Sequence, residues 1–466
     1  MKRTLIISAI FIFCFHFSQA QLNGKMKIYF TNPVNTSISS GINAVCLNNS
    51  MDDTLVQYIN RAKYTLDIAV YNYQQSSGMA DIAAAVNNAS ARGVIVRWIF
   101  DGSQSNSGMS ALNTSIHTLG SPTTSAYGIM HNKFMVADAN SSNLNDPLVW
   151  TGSTNWTKTH FNSNVNNTVI IQDKNLALAY LLEFNEMWGD AGTIPNTLNS
   201  KFGPYKTDPL TTHTFTIGGK TVELYFSPAD SVNSHILNII STANTDLYFG
   251  MLTFSADSYA DSIINKKNNG VYTAGIIDQS SQFYSPNSAL SSSLGTNFKV
   301  YSQFTSVYHN KILIVDPCNL SSDPTVITGS FNWSTPAETQ NDENALIFHD
   351  AVTANIFSQS FSQNFTDLGG VLAPCVITDV NEVTENKFEV YPTINNGSFT
   401  IKWNQTESNN FDIVVYDLLG QKAADILHEK RPSGSNTFYC RDLNLKPGVY
   451  FVKIGQIETL KKIIVQ

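Results

Sequence analysis

Two histidine–lysine pairs in this chain have a spacing that sets a base and a cation on one face, where they can act together on an anion. His131 and Lys133 are one residue apart, and four small or apolar residues lead from Lys133 to Asp138. A second apolar run then ends in Gly152-Ser153-Thr154-Asn155-Trp156. The same order returns with His309, Lys311 and Asp316, followed by Gly329-Ser330-Phe331-Asn332-Trp333. In an extended strand, residues two apart share a face. Each copy therefore offers an imidazole and an ammonium side by side at one end of an apolar strand. Cleaving a phosphodiester requires a nucleophile, a proton for the leaving oxygen and positive charge around the phosphate. One copy supplies half of that set. Two copies facing each other supply all of it, so the site should lie between two halves of the chain.

The elements around the motifs repeat in the same way. Strands are predicted at 26–30, 66–73, 94–100 and 168–171, with helices from 52 to 63, 79 to 92 and 176 to 188. The last of these reads as amphipathic, and the stretch from Asp101 to Tyr127 reads as a polar loop. The second half follows with strands at 222–226, 246–254, 272–277, 298–301 and 345–348. Its helices are expected at 231–242, 258–267 and 353–365. Alternating strands and helices, given twice, predict an α/β architecture of two related lobes. The lobes are expected at 25–200 and 221–370, with 203–220 as the connection between them.

At its motifs the chain resembles the phospholipase D superfamily, whose signature is His-x-Lys-x4-Asp followed by Gly-Ser-x-Asn. Both copies match at every signature position. The resemblance implies that one histidine attacks phosphorus and becomes a phosphohistidine, while the other protonates the leaving group. Lys133 and Lys311 would hold the phosphate, Asn155 and Asn332 would donate to it, and Ser153 and Ser330 would help position those contacts. Asp138 and Asp316 fall about 16 Å along the strand from the phosphate at ~3.3 Å per residue, which suits a structural role. In the family a glutamate after the second motif accepts from a catalytic imidazole, and Glu343 occupies that place. Aligning the halves on Gly-Ser-x-Asn puts Asn166 opposite Glu343. A carboxylate is thus expected behind His309, making it the general acid, and an amide behind His131, leaving it neutral as the nucleophile. No cofactor or metal is expected, because the lysine beside each histidine opposes a bound cation.

The implied substrate is a phosphodiester, with a phospholipid headgroup favoured over nucleic acid. The formal net charge of −8 disfavours tight, unspecific binding to a phosphate backbone. Lys2 and Arg3 precede an apolar run, and Ser18-Gln19-Ala20 offers a cleavage site, so residues 1–20 read as a secretory signal. Losing two basic and no acidic residues would take −8 to −10. Four cysteines would remain, Cys46, Cys318, Cys375 and Cys440. They allow up to two disulfides in an exported protein or free buried thiols, and they match no zinc spacing. After a linker at 371–386, short alternating strands with Gly and Pro turns predict a small β-sandwich at 387–466. Tyr391-Pro392, Val415-Tyr416-Asp417 with Gly420-Gln421, and the closing Lys461-Lys462-Ile463-Ile464-Val465 resemble a type IX secretion sorting domain. This implies a partner in that export machinery and a secreted or surface location. A monomer is expected.

Overall fold

The computed structural model describes residues 24–319, 321–372, 388–405, 408–417, 422–441, 443–454 and 461–465. The expected signal and nearly all of the expected linker lie outside the described residues. The chain divides into two compact units, 1–376 and 377–466.

The first unit holds two eight-stranded mixed sheets whose strand order matches over seven strands, the eighth being Val45–Cys46, parallel to its neighbour, in one and Thr214–Ile217, antiparallel, in the other. In one, the motif strand Lys133–Ala137 lies between Leu148–Gly152 and Thr65–Val70, antiparallel to both. In the other, Lys311–Val315 lies between Thr325–Gly329 and Asp246–Met251 in the same sense. Both motif strands are buried along their whole length. Their apolar residues alternate between two cores. Phe134, Val136, Ile312 and Ile314 enter one central core shared by both sheets, whereas Met135, Leu313 and Val315 enter separate outer cores.

The central core also holds the helices Lys174–Trp188 and Ala351–Asp367. The first is buried on most sides, Glu183 included, rather than along one stripe. Its apolar spacing suggested a surface helix, but the second sheet covers the face left over by the first. Three stretches without predicted structure also form elements. His117–Gly120 adds a parallel edge strand within the supposed 101–127 loop. Thr214–Ile217 pairs with Lys220–Ser227 inside the supposed connection. Ser285–Leu294 forms a helix that the sequence reading lacked.

The connection also carries a buried cation. Lys206 Nζ engages Glu183 and, at 3.3 Å, Asp342. Burial opposes its charge, but the two carboxylates outweigh burial and hold Lys206 above its ordinary pKa. Removing the ammonium leaves two carboxylates in the core with no counterion. Lys206→Met is therefore expected to cost about 3–5 kcal/mol of stability in urea unfolding. A loss below ~1 kcal/mol would show that the carboxylates are satisfied without it.

In the second unit, a three-stranded and a five-stranded sheet share one core. Alternation builds it: Phe388 and Val390 are buried, and Glu389 and Tyr391 are exposed. Cys46 and Cys440 are free thiols. Cys318 is disulfide-bonded, and its partner lies outside the described residues.

Candidate active site

The strands bring His131 and His309 to the seam between the sheets, and backbone contacts across that seam set their surroundings. Met130 bridges Asp342 in parallel, and Val165 bridges Tyr308 in parallel. One step further along each bridge, His131 meets Glu343 and Asn166 meets His309. The hydrogen bonds follow this register. His131 Nδ1 lies 2.8 Å from Glu343 Oε2, and His309 Nδ1 lies 2.9 Å from Asn166 Oδ1.

This reverses the expected pairing. The carboxylate stands behind His131 and the amide behind His309. The alignment of the halves is sound, but it carries no information about which lobe each acceptor serves. The seam supplies each histidine with a partner from the opposite lobe.

The residues between the motif His and Lys cross the same seam. Asn344 Nδ2 donates to Asn132 Oδ1 at 2.8 Å, and Asn167 Nδ2 donates to Asn310 Oδ1 at 2.9 Å. All four side chains are fully buried. Two aspartates brace the motifs from behind. Asp101 Oδ2 accepts from Met130 N at 2.8 Å, and Asp278 Oδ2 accepts from Tyr308 N at 2.9 Å. Sequence reading placed both at strand ends without giving them work. Their recurrence just after equivalent strands was the available signal.

Burial and crowding shape the electrostatics. Burial pulls His131 down to about 4, against the opposing pull of Glu343. Burial and then Lys311 take His309 well below its ordinary value. Lys133 is also well below its ordinary value, through burial and then Lys311. Burial brings Lys311 to about 7, although Glu343 and Asp278 oppose it. Each lysine is aimed by its own motif: Lys133 Nζ donates to His131 O at 2.6 Å, and Lys311 Nζ to His309 O at 2.8 Å. Tyr71 lies edge-on to the His131 ring at 4.9 Å and under Lys133 Nζ at 5.0 Å.

Such a site resists protonation until an anion arrives. A phosphate reverses the sign of the local field and raises these pKa values together. Between the free and bound values the complex holds more protons, so inorganic phosphate is expected to bind with proton uptake at pH 8. Calorimetry in two buffers of different ionisation enthalpy measures the sign. Proton release would show that the bases are already protonated in the free protein.

The remaining motif residues divide into two groups. Asn155 and Asn332 lie buried just past the strand ends. Ser153 and Ser330 are turned into the protein. Ser153 Oγ donates to Asn166 Oδ1 and accepts from Asn167 N, and Ser330 Oγ accepts from Asn344 N, each at 3.0 Å. These hydroxyls hold the segments that bear Asn166 and Glu343. The glycines before them are small for a backbone reason. A Cβ on Gly152 would lie 2.4 Å from Asn167 O and one on Gly329 2.3 Å from Asn344 O, and both residues have positive φ. The Asp138 carboxylate accepts from the backbone N–H groups of Lys63, Tyr64 and Thr65. Asp316 does the same for Asn244, Thr245 and Asp246. Both aspartates thus fasten the start of the neighbouring strand. Trp156 and Trp333 are buried against other aromatic rings and form no cleft mouth.

One site residue had no motif to announce it. His160, on the short helix Lys158–Asn162, lies edge-on to His309 with ring centroids 4.4 Å apart. Its place in the second half is taken by Ala337, so the repeat that exposed the other residues concealed this one. Among the described residues, the donors close enough to share a cation are Asp208, His213 and Asp230, none of them a motif residue.

Comparison with known proteins places both halves in one family. The cardiolipin synthase PLD-like domain family matches the chain twice, over residues 55–188 and 236–365. The secretion system C-terminal sorting domain family matches residues 389–466. The mitochondrial cardiolipin hydrolase of Drosophila melanogaster is 32% identical over 149 residues, covering 29% of this chain and 57% of that protein. The phospholipase D of Rickettsia conorii is 36% identical over 143 residues, covering 30% of this chain and 67% of that protein. The chain thus spans little more than half the length of the Drosophila relative. Among solved structures, phosphatidylserine synthase of Haemophilus influenzae superposes with a TM-score of 0.51 at 12% identity, over 78% of this chain and 92% of that one. At that identity the likeness concerns the fold. The sorting domain links the protein to the type IX secretion machinery and to the cell surface or beyond. With two copies of its catalytic domain and both motifs whole, the chain belongs to the phospholipase D superfamily, hydrolases acting on phosphodiester bonds.

Proposed function

We propose that the protein is an exported phosphodiesterase working through a phosphohistidine on His131. The observation that carries this reading is the crossed pairing of His131 with Glu343 and of His309 with Asn166. With Nδ1 engaged in each ring, Nε2 is the nitrogen left for chemistry. His131 Nε2 attacks phosphorus, the bond to the leaving oxygen breaks, and His309 gives that oxygen its proton. Water then loses a proton to His309 and attacks phosphorus. The P–N bond breaks, and a phosphate monoester departs with His131 neutral again.

The roles follow from where positive charge must last. A phosphorylated imidazole bearing Nδ1–H is cationic until it is hydrolysed, and Glu343 stabilises that state. The general acid must lose its proton readily, and a carboxylate would hold it back. An amide behind His309 orients the ring without that cost. His131 therefore remains the nucleophile, on grounds opposite to those the sequence suggested. Lys133, Lys311, Asn155 and Asn332 surround the phosphate, while Ser153, Ser330, Asp138 and Asp316 hold the frame. Catalysis belongs to residues 25–370 and export to 387–466.

Among diesters, a phospholipid headgroup ester fits best. The acidic net charge of −8 disfavours a polyanion, and the exposed Phe283, Tyr284 and Phe304 would suit a lipid surface. The test offers the secreted protein anionic phospholipid vesicles and plasmid DNA, each with excess EDTA. Headgroup release that persists in chelator supports the whole reading. DNA cleavage with intact vesicles would move the substrate to nucleic acid. Metal-reversible loss of all activity would overturn the mechanism, since two histidines and two lysines would then be insufficient.

A further inference from the structure

We propose that His160 is a positioning residue that fixes the amide of Asn155 with its N–H group toward the substrate phosphate. This rests on the phosphodiesterase reading above and adds a member to that site.

The argument begins with an unequal pair. Asn155 and Asn332 occupy equivalent places in the two halves. The Asn332 amide is oriented by backbone, since its Oδ1 accepts from Thr253 N at 3.3 Å. Asn155 Oδ1 is buried and has no hydrogen-bond partner, while Asn155 Nδ2 lies 3.3 Å from His160 Nε2. In that orientation the free end of the amide is a carbonyl oxygen, which repels an anion. The two ends of an amide are nearly the same size, so hydrogen bonding decides which way it points.

The surroundings of His160 decide the tautomer. Its Nδ1 lies 3.5 Å from Asn166 Nδ2, a group that can only donate. A proton on Nδ1 would meet that donor head-on, so Nδ1 is bare and Nε2 carries the hydrogen. Burial, with Lys133 and Lys311 nearby, brings His160 to about 3, so the ring is neutral with a single N–H. An Nε2–H group cannot face Asn155 Nδ2. Turning the amide by half a turn pairs Oδ1 with Nε2–H and leaves the N–H group at the free end. That is the polarity a phosphate oxygen needs. The turn also completes a chain from substrate through Asn155, His160 and Asn166 to His309, whose Nδ1 is held by Asn166 Oδ1 at 2.9 Å.

The experiment is a double-mutant cycle on the full chain, read by turnover of a chromogenic phosphodiester and by calorimetric binding of inorganic phosphate. His160→Ala is expected to lower both kcat/KM and phosphate affinity by about 10- to 100-fold, the range for a charge-assisted hydrogen bond. His160→Gln keeps a donor for Asn155 Oδ1 and is expected to recover most of that loss. The double variant His160→Ala with Asn155→Ala is expected to be no worse than Asn155→Ala alone. Additive losses, a His160→Gln variant as poor as His160→Ala, or a His160→Ala variant equal to wild type would each overturn the assignment. A His160→Ala protein that fails to fold leaves the Gln variant and its cycle with Asn155→Ala to decide. Wild-type protein inert toward every diester would instead defeat the phosphodiesterase reading itself.

Discussion

His309→Asn protein, mixed with a diester bearing a p-nitrophenolate leaving group and quenched rapidly, is expected to carry phosphate on the peptide containing His131. This leaving group departs without a proton, so the covalent step survives the loss of the general acid. Hydrolysis of the adduct then stalls, because no base remains to activate water. Steady-state turnover should fall by roughly 10⁴-fold or more, as for removal of a central catalytic group. His131→Asn should fall as far but give no burst of p-nitrophenolate and no adduct. Mass spectrometry of both variants decides the roles. An adduct on His309 in His131→Asn would reverse the assignment and would mean that the carboxylate serves the acid. The expected result separates two readings of one hydrogen bond. Glu343 either keeps a proton on His131 before reaction or steadies the charge created by phosphorylation.

Glu343→Gln is expected to slow adduct formation by about 10²- to 10⁴-fold, a loss of the size that follows when a catalytic imidazole is given the wrong tautomer. The reason lies in the other carboxylate oxygen. Glu343 Oε1 accepts from Asn341 Nδ2 at 3.0 Å, and Asn341 Oδ1 is itself held by Ile129 N at 3.2 Å. A glutamine whose oxygen keeps the Asn341 bond presents its amino group to His131 Nδ1. That forces the proton onto Nε2 and removes the attacking lone pair. Stopped-flow measurement of the p-nitrophenolate burst reads the step directly. A Gln variant with an unaltered burst would show that the charge of Glu343 does not act on the nucleophile. Asn166→Asp, the reciprocal change, places a carboxylate behind His309 and should slow proton donation, with a larger penalty for poor leaving groups than for p-nitrophenolate.

Much of this was legible before any coordinates. The Lys133–Ala137 and Lys311–Val315 strands were readable because burial on both faces imposes an unbroken apolar run. The repeat exposed both halves of the site, since a duplicated motif marks its own elements. What stayed hidden was whatever depends on contact between the halves. The exchange of Glu343 and Asn166 comes from two parallel bridges that bring together residues 212 and 143 positions apart, and no local pattern encodes it. The same is true of Lys206, one of three charged residues in a stretch read as a connection. Its burial depends on two carboxylates, one contributed by each lobe. The helix Lys174–Trp188 looked one-sided because its second cover comes from the other sheet. His160 escaped for the opposite reason, being a feature that one half has and the other lacks.

The crossed bridges at Met130–Asp342 and Val165–Tyr308 have a consequence for the two halves as separate chains. Neither half, expressed alone, contains a histidine with its own orienting acceptor, so a severed half is expected to be inactive even with its motif intact. Mixed with the other intact half, it is expected to regain activity only if the two assemble. A half carrying a sound His131 needs a partner that supplies both Glu343 and His309. The working units at this site are therefore the diagonal pairs rather than the two repeats. Residue 131 is paired with 343 and residue 309 with 166, so a substitution in one repeat is felt at the histidine of the other.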